Sequence, residues 1–280
     1  MSSAEENELV GLAAEVAREA GAEIRARVPR AREIDTKANS VDLVTDTDHR
    51  VDALITERIV AAYPDHARLT EETGASADAS AAQVCWVVDP LDGTVNFAHG
   101  VPHFAVSIAA VRGYRAGDPF DQTNPGATVL AGVVYDPMRD ELFEATASGP
   151  AKMNGEEIRV SGCDDLAEAL VGTGFPYDRR ERTDEYLEAW RAILPRCRDL
   201  RRAGAAALDL AWVAAGRLDA YWERGLHPWD IAAGALLVRR AGGQATNFKG
   251  EELFLEASEV LTGPRAVHET LRQHLSTESQ

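Results

Sequence analysis

The chain has 280 residues, with 46 Asp and Glu against 29 Lys and Arg and a formal net charge of −17. That length holds roughly two ordinary domains, and 45% hydrophobic with 27% charged residues is a globular composition, not a disordered one. The acidity argues against nucleic acid as a partner, because a phosphate backbone needs clustered Lys and Arg. It leaves an anionic small substrate open, since bound cations reverse the local sign.

The opening MSSAEENELV is acidic where a secretory signal would be basic, and no apolar run follows it. No window approaches the roughly 20 apolar residues of a membrane span. A soluble, cytoplasmic protein with no membrane association is expected. Cys85, Cys163 and Cys197 have no zinc spacing and suggest no disulfide framework, so buried free thiols are expected.

A first helix is predicted over 4–26, where Leu9, Leu12, Val16, Ala20 and Ile24 recur at three- and four-residue steps and Ser3 with Glu6 fits a capping box. A second helix should start near Thr47, bury Val51, Leu54, Ile55 and Ile59, and stop at Pro64. After a polar loop over 76–83, VCWVV (84–88) reads as a buried strand ending at Asp89-Pro90. Further strands are predicted over 104–111, 128–135 and 141–146, with a surface loop over 113–128 and turns at 136–139 and 154–155. Strands over 169–173 and 218–222 then alternate with helices over 183–194, 205–215 and 229–241. A boundary near residue 150 would give an α+β half, 1–150, and an α/β half, 151–280.

Acids gather at element ends: Asp46 and Asp48 at the start of the second helix, Glu71-Glu72 after it, and Asp89 and Asp92 after the VCWVV strand. Asp230 opens a later helix. Singly, Thr45, Asp48 and Asp230 read as helix caps and Glu71-Glu72 as solvated loop charge. The segment DPLDGT (89–94) is different, because it puts carboxylates at the carboxyl edge of a buried strand, where α/β proteins place ligands. Gly93 permits close approach of a ligand, and a helix starting at Thr94 would offer N–H donors to an anion. Should Glu71, Asp89, Asp92 and Asp230 converge, each pair at about 4 Å would repel by roughly 4 kcal/mol at an effective dielectric near 20. Only cations or raised pKa values make that tolerable, and oxygen-only ligands select a hard ion such as Mg²⁺. His99, His103 and His227 lie near these motifs without metal-pair spacing and are read as packing or substrate-facing groups. The one basic run, RDLRRAG (198–204), reads as a solvated or substrate-rim face.

At these residues the sequence resembles the inositol monophosphatase family, magnesium-dependent and lithium-sensitive phosphatases of small phosphorylated metabolites. The likeness runs from about Val41 to Gly243. It is carried by VDLVTDTD (41–48), Glu71-Glu72, WVVDPLDGTVNF (86–97) and WDIAAGALLVRRAGG (229–243). It implies a layered αβαβα sandwich of mixed sheets, a homodimer, and two to three Mg²⁺ per active site. Glu71, Asp89 and the Leu91 carbonyl would hold one ion, and Asp89, Asp92 and Asp230 a second. Glu71 would help hold a third through water. Asp48 and Thr94 would activate the attacking water, and Gly93 with Thr94 would hold the phosphate. Gly204, Ala205 and Ala206 would line the substrate, and Glu223 would bind its hydroxyls. The chain departs from the pattern at Thr70, where the family usually has Gly, at Ala205, where it often has Thr or Ser, and at Arg240, where it usually has an acid. Asn96-Phe97 and Glu223 favour an inositol phosphate. Fructose 1,6-bisphosphate, histidinol phosphate and 3′-phosphoadenosine nucleotides are the alternatives on this scaffold, with a non-catalytic regulatory protein as the alternative of another class.

Overall fold

The computed structural model describes residues 2–28, 34–36, 43–76, 83–113, 127–251 and 259–275. Expectations for the loops over 76–83 and 113–128 and for Val41 and Asp42 fall largely or wholly outside these residues. Helix α1 (Ser3–Arg27) is followed by β1 (Ile34–Thr36), β2 (Leu43–Thr45) and α2 (Asp46–Ala62). Next come β3 (Ala67–Thr70), β4 (Gly74–Ala75), β5 (Val84–Asp92), α3 (Thr94–His99), β6 (Ala105–Arg112) and β7 (Thr128–Asp136). Strands β8 (Glu141–Thr146), β9 (Lys152–Met153), β10 (Glu156–Glu157) and β11 (Leu170–Thr173) lead to α4 (Thr183–Ile193), β12 (Asp199–Arg201) and α5 (Ala206–Ala214). The chain closes with β13 (Ala220–Arg224), α6 (Pro228–Arg240), β14 (Gln244–Thr246), β15 (Glu259–Gly263) and α7 (Arg265–Leu275).

Two mixed sheets organise these elements. One has eight strands in the order β10-β9-β8-β7-β6-β5-β3-β4, and the other has five in the order β12-β11-β13-β15-β14. Helices α1 and α2 cover the outer face of the large sheet, α5 and α6 lie between the sheets, and α4 with α7 covers the far face of the small one. This is the expected αβαβα layering. Strand β5 shows why. Every residue in it is buried, and alternate side chains serve two cores. Trp86 and Val88 join Leu9, Val16, Ile24, Val51, Ile55 and Ile59 of α1 and α2, whereas Cys85 and Val87 join α5 and α6.

Three boundaries differ from expectation. The capping box of α1 uses Ser2 and Glu5, not Ser3 and Glu6, because Glu6 is buried and accepts from the Ser148 amide and hydroxyl at 3.0 and 2.6 Å. Helix α2 begins at Asp46, with Thr45 as its cap. Strand β5 continues past Asp89-Pro90 to Asp92 through an irregularity in its pairing with β6. Of the thiols, Cys85 is buried and its pKa is pushed to about 12 by that burial, while Cys163 and Cys197 are only partly buried.

Candidate active site

The irregularity in β5 gives the site its geometry. Asp89 pairs with Ser107 and Asp92 with Ala105, so three steps on β5 oppose two on β6. In a regular strand, residues three apart point to opposite faces, and one extra residue restores the same face. Pro90 sits within this irregularity, where the ladder does not need its missing N–H. Asp89 and Asp92 are therefore both aimed at one buried point, 2% and 5% exposed.

Other elements bring their acids to it. The Glu71 amide donates to Val88 O at 3.1 Å, which holds the turn after β3 beside β5. Asp230 is the third residue of α6 and accepts the His227 amide at 2.7 Å. The α6 start is tied to β6 where the Ser107 hydroxyl donates to Trp229 O at 3.0 Å. Burial raises Asp89 well above the usual carboxylate range, and the charges of Glu71, Asp92 and Asp230 add to it. Asp92 is raised in the same way by burial and Asp230, although the Leu208 amide donates to its Oδ2 at 3.1 Å.

Asp48 and Thr94 meet at the edge of this cluster. The Thr94 hydroxyl lies 2.9 Å from Asp48 Oδ1 and 3.1 Å from Leu91 O. Asp48 Oδ2 accepts the Thr45 amide at 2.9 Å and the Thr45 hydroxyl. Burial raises Asp48 above its ordinary value, although these three hydrogen bonds pull the other way.

A cleft of about 110 Å³ opens on the acids, and its lining contains Asp92, Gly93, Thr94, Gly204, Ala205, Ala206, Glu223 and Asp230. Gly93 has φ +92, and a Cβ there would stand 3.0 Å from His103 O and 3.1 Å from the Ala205 Cβ. Glycine is required both by the backbone angle and by the close approach of α5. Glu223, on β13, accepts from the Tyr221 hydroxyl, and burial pushes its carboxyl up to about 8. A wider opening of about 570 Å³ adjoins the cleft at Pro176, Tyr177 and Gly225. Its charges are paired, Arg182 with Asp178 and Glu185, and it holds none of the converging acids.

Of three further residues in this region, two escape the sequence reading. Arg179 and Arg202 line the cleft, and Asp209 lies buried behind Asp92, 3.0 Å from His103 Nε2. Arg202 belongs to the basic run read as a rim. Arg179 and Asp209 give no local signal, because only the folded chain brings them here. Of the histidines, His99 stays at the surface, with Nδ1 2.9 Å from Val95 O.

All the donors in the acidic cluster are oxygens, two of its carboxylates are nearly inaccessible, and like charges raise them. That chemistry fits a hard divalent cation. Among the described residues, no three His, Cys, Asp or Glu side chains close into a metal cage.

The layered sheets, the buried oxygen donors and the Thr–Asp pair are the scaffold expected of the family that the sequence resembles. The sequence model of the inositol monophosphatase family matches residues 5–280, and the chain belongs to that family. It is 42% identical over 275 residues to Nus factor SuhB of Pseudomonas aeruginosa, covering 95% of this chain and 97% of that one. The extragenic suppressor protein SuhB of Bartonella henselae superposes with a TM-score of 0.84 at 32% identity, covering 96% of this chain and 98% of that one. The inositol monophosphatase of Anabaena (Nostoc) superposes with a TM-score of 0.83 at 35% identity, covering 97% and 96% of the two chains.

Proposed function

We propose that this chain is a Mg²⁺-dependent phosphomonoesterase of small polyol or sugar phosphates, with myo-inositol 1-phosphate as its reference substrate. The observation that carries the reading is the convergence of Glu71, Asp89, Asp92 and Asp230 beside the Thr94–Asp48 hydrogen bond. Glu71, Asp89, Asp92, Asp230 and the Leu91 carbonyl would hold the ions. When bound, Mg²⁺ supplies Lewis-acid polarisation of a water and of the ester. The chain's own residues do the rest. Asp48 is fixed by Thr45 and takes the Thr94 proton at Oδ1 as Thr94 Oγ1 accepts a proton from the attacking water. Backbone amides at Gly93 and Thr94 face the phosphate, and Gly204, Ala205, Ala206 and Glu223 orient the leaving group. No covalent enzyme intermediate is required. Family resemblance also supports a homodimer.

The test is phosphate release from myo-inositol 1-phosphate, fructose 1,6-bisphosphate, histidinol phosphate and 3′-phosphoadenosine 5′-phosphate, with Mg²⁺ and with chelator. The expected outcome is release that needs Mg²⁺ and favours the polyol or sugar phosphates. Nucleotide cleavage a hundredfold faster than inositol phosphate cleavage would overturn the substrate assignment.

The name of the 42%-identical relative, a Nus factor, gives a second reading: a transcription-related regulatory role alongside the phosphatase scaffold. The net charge of −17 opposes direct binding to a phosphate backbone but not to a basic protein partner. Binding to purified transcription components, measured with and without Mg²⁺, separates this role from catalysis.

A further inference from the structure

Arg179 and Arg202 stand apart from the rest of the cleft's chemistry. Both line it together with Glu223. Among the described residues neither forms an ion pair, in a chain whose acids outnumber its bases by 46 to 29. By contrast, Arg182 and Arg224, on the adjoining opening, each reach carboxylates. Arg179 is partly buried and donates to Pro176 O at 3.2 Å, which anchors the guanidinium to the loop before α4. Arg202 is exposed at the cleft, with its Nη1 2.5 Å from where a Cβ on Gly204 would stand. Gly204 has φ +91, and Asn96 Nδ2 reaches its carbonyl at 3.4 Å. Glycine there leaves room for the guanidinium beside the turn that meets Gly93.

Two guanidinium groups with no carboxylate of their own, side by side in a concave site, form an anion receptor. Like charge reinforces the point, because after burial the neighbouring charge of Arg202 is the next influence holding Arg179 below its ordinary value. A bound anion relieves that repulsion. Glu223, whose charge acts on both arginines without forming an ion pair with either, is hydrogen-bonded by Tyr221.

We propose that Arg179 and Arg202 form a second anion subsite, so that the preferred substrates are phosphomonoesters whose leaving group carries a further acidic group, a carboxylate or a second phosphate. The inference rests on the phosphatase reading and narrows its substrate class.

The test uses the full chain and two matched pairs of probes. 6-Phosphogluconate against sorbitol 6-phosphate differs by a carboxylate, and myo-inositol 1,4-bisphosphate against myo-inositol 1-phosphate differs by a phosphate. Binding is measured by calorimetry with Ca²⁺, whose coordination is looser than that of Mg²⁺, to slow turnover, and phosphate release is measured separately with Mg²⁺. The acidic member of at least one pair should bind about tenfold tighter or more, and the pair that shows this identifies the group recognised. In Arg179→Ala/Arg202→Ala the ratio should fall within about twofold. Arg191→Ala, which removes one arginine charge outside the cleft lining, should keep it. Should the double variant fail to fold by circular dichroism, Arg179→Gln carries the comparison with a reduced ratio. A ratio near one for both pairs in the wild type, or a ratio that survives in the arginine variants, overturns the proposal. Selective binding with no phosphate released from any probe leaves the subsite standing and removes the phosphatase reading instead.

Discussion

Asp48 answers to two descriptions at once. As a helix cap it is ordinary: third in α2, it takes the Thr45 amide and completes a capping box. Yet only one oxygen is needed for that. The other accepts the Thr94 hydroxyl 46 positions along the chain, so the cap is also what holds the proposed base. Asp230 combines the roles in the same way, capping α6 while facing Asp92. The acids were legible because their sequence contexts are stiff: a strand end, a glycine, helix starts. Arg179 was not, since a single arginine in a charged loop has no periodicity or partner to mark it. Glu223 allows a test at this scale. Its carboxyl is raised from an ordinary 4.5 to about 8 by burial, so the folded state keeps the proton while the unfolded state loses it. A raised pKa contributes stability that is full below about 4.5 and is lost as pH climbs to about 8. Glu223→Gln cannot ionise and retains an acceptor for Tyr221. Its melting temperature relative to wild type should therefore rise from pH 4.5 to about 8 and then level. A gap that stays constant across that range would mean the wild-type side chain is ionised when folded. In kinetics the same variant should raise KM for polyol phosphates more than it lowers kcat.

Elements deliver these side chains by close packing, and glycine sets the closeness. A Cβ at Gly132 of β7 would stand 2.9 Å from the Ala233 Cα, and one at Gly234 of α6 would stand 2.5 Å from the Leu210 Cβ of α5. The helix that carries Asp230 is thus pressed between β7 and α5 with no room to spare. Gly234→Ala gains up to about 1 kcal/mol of helix propensity but overpacks the crossing at about 1–3 kcal/mol, so net destabilisation is expected. Because α6 must shift, Mg²⁺ affinity should weaken as well, read by magnesium titration of the melting temperature. Gly242→Ala is the control. It has φ +90 with nothing within 4 Å, so it should lose about 1–2 kcal/mol to backbone strain and leave Mg²⁺ affinity alone. Several elements could not be read from pattern. Strand β3 is four residues long with both faces covered, so it shows no alternation, and β14 with three residues shows little more. The α7 signal was present, with Val267, Leu271 and Leu275 buried at four-residue steps, but it lies beyond the last recognisable motif. The irregularity in β5 was invisible for another reason: Asp-Pro reads as a strand end unless the partner strand is known.

At the scale of the whole chain, one apolar core runs through both sheets. Cys85 and Val87 of the large sheet, Leu208 and Leu210 of α5, Ile231 and Leu237 of α6, and Tyr221 and Val260 of the small sheet belong to a single cluster. The halves expected at 1–150 and 151–280 share it, so heating should give one transition, with far-ultraviolet circular dichroism and tryptophan fluorescence coincident. The proposed active site straddles the same core, with proposed ligands spread from Glu71 to Asp230, and ions bound there would stabilise everything that positions them. Asp89 and Asp92 have raised pKa values. In chelator, the stability they contribute is full below their ordinary 3.8 and is lost as pH rises through the raised range. The metal-free melting temperature should therefore fall as pH rises above the ordinary carboxylate range. Mg²⁺ binds the ionised carboxylates, so its stabilisation should grow over the same interval, reaching about 2.7 kcal/mol when the ion is at a hundred times its Kd. Asp92→Asn removes one of the repelling charges while keeping an acceptor for the Leu208 amide. It should melt higher than wild type in chelator at pH 8, lose most of the Mg²⁺ increment, and release phosphate at least about a hundredfold more slowly. If Mg²⁺ left the wild-type midpoint unmoved at pH 8, the crowded acids would be holding protons and not metal, and the proposed chemistry would have no foundation.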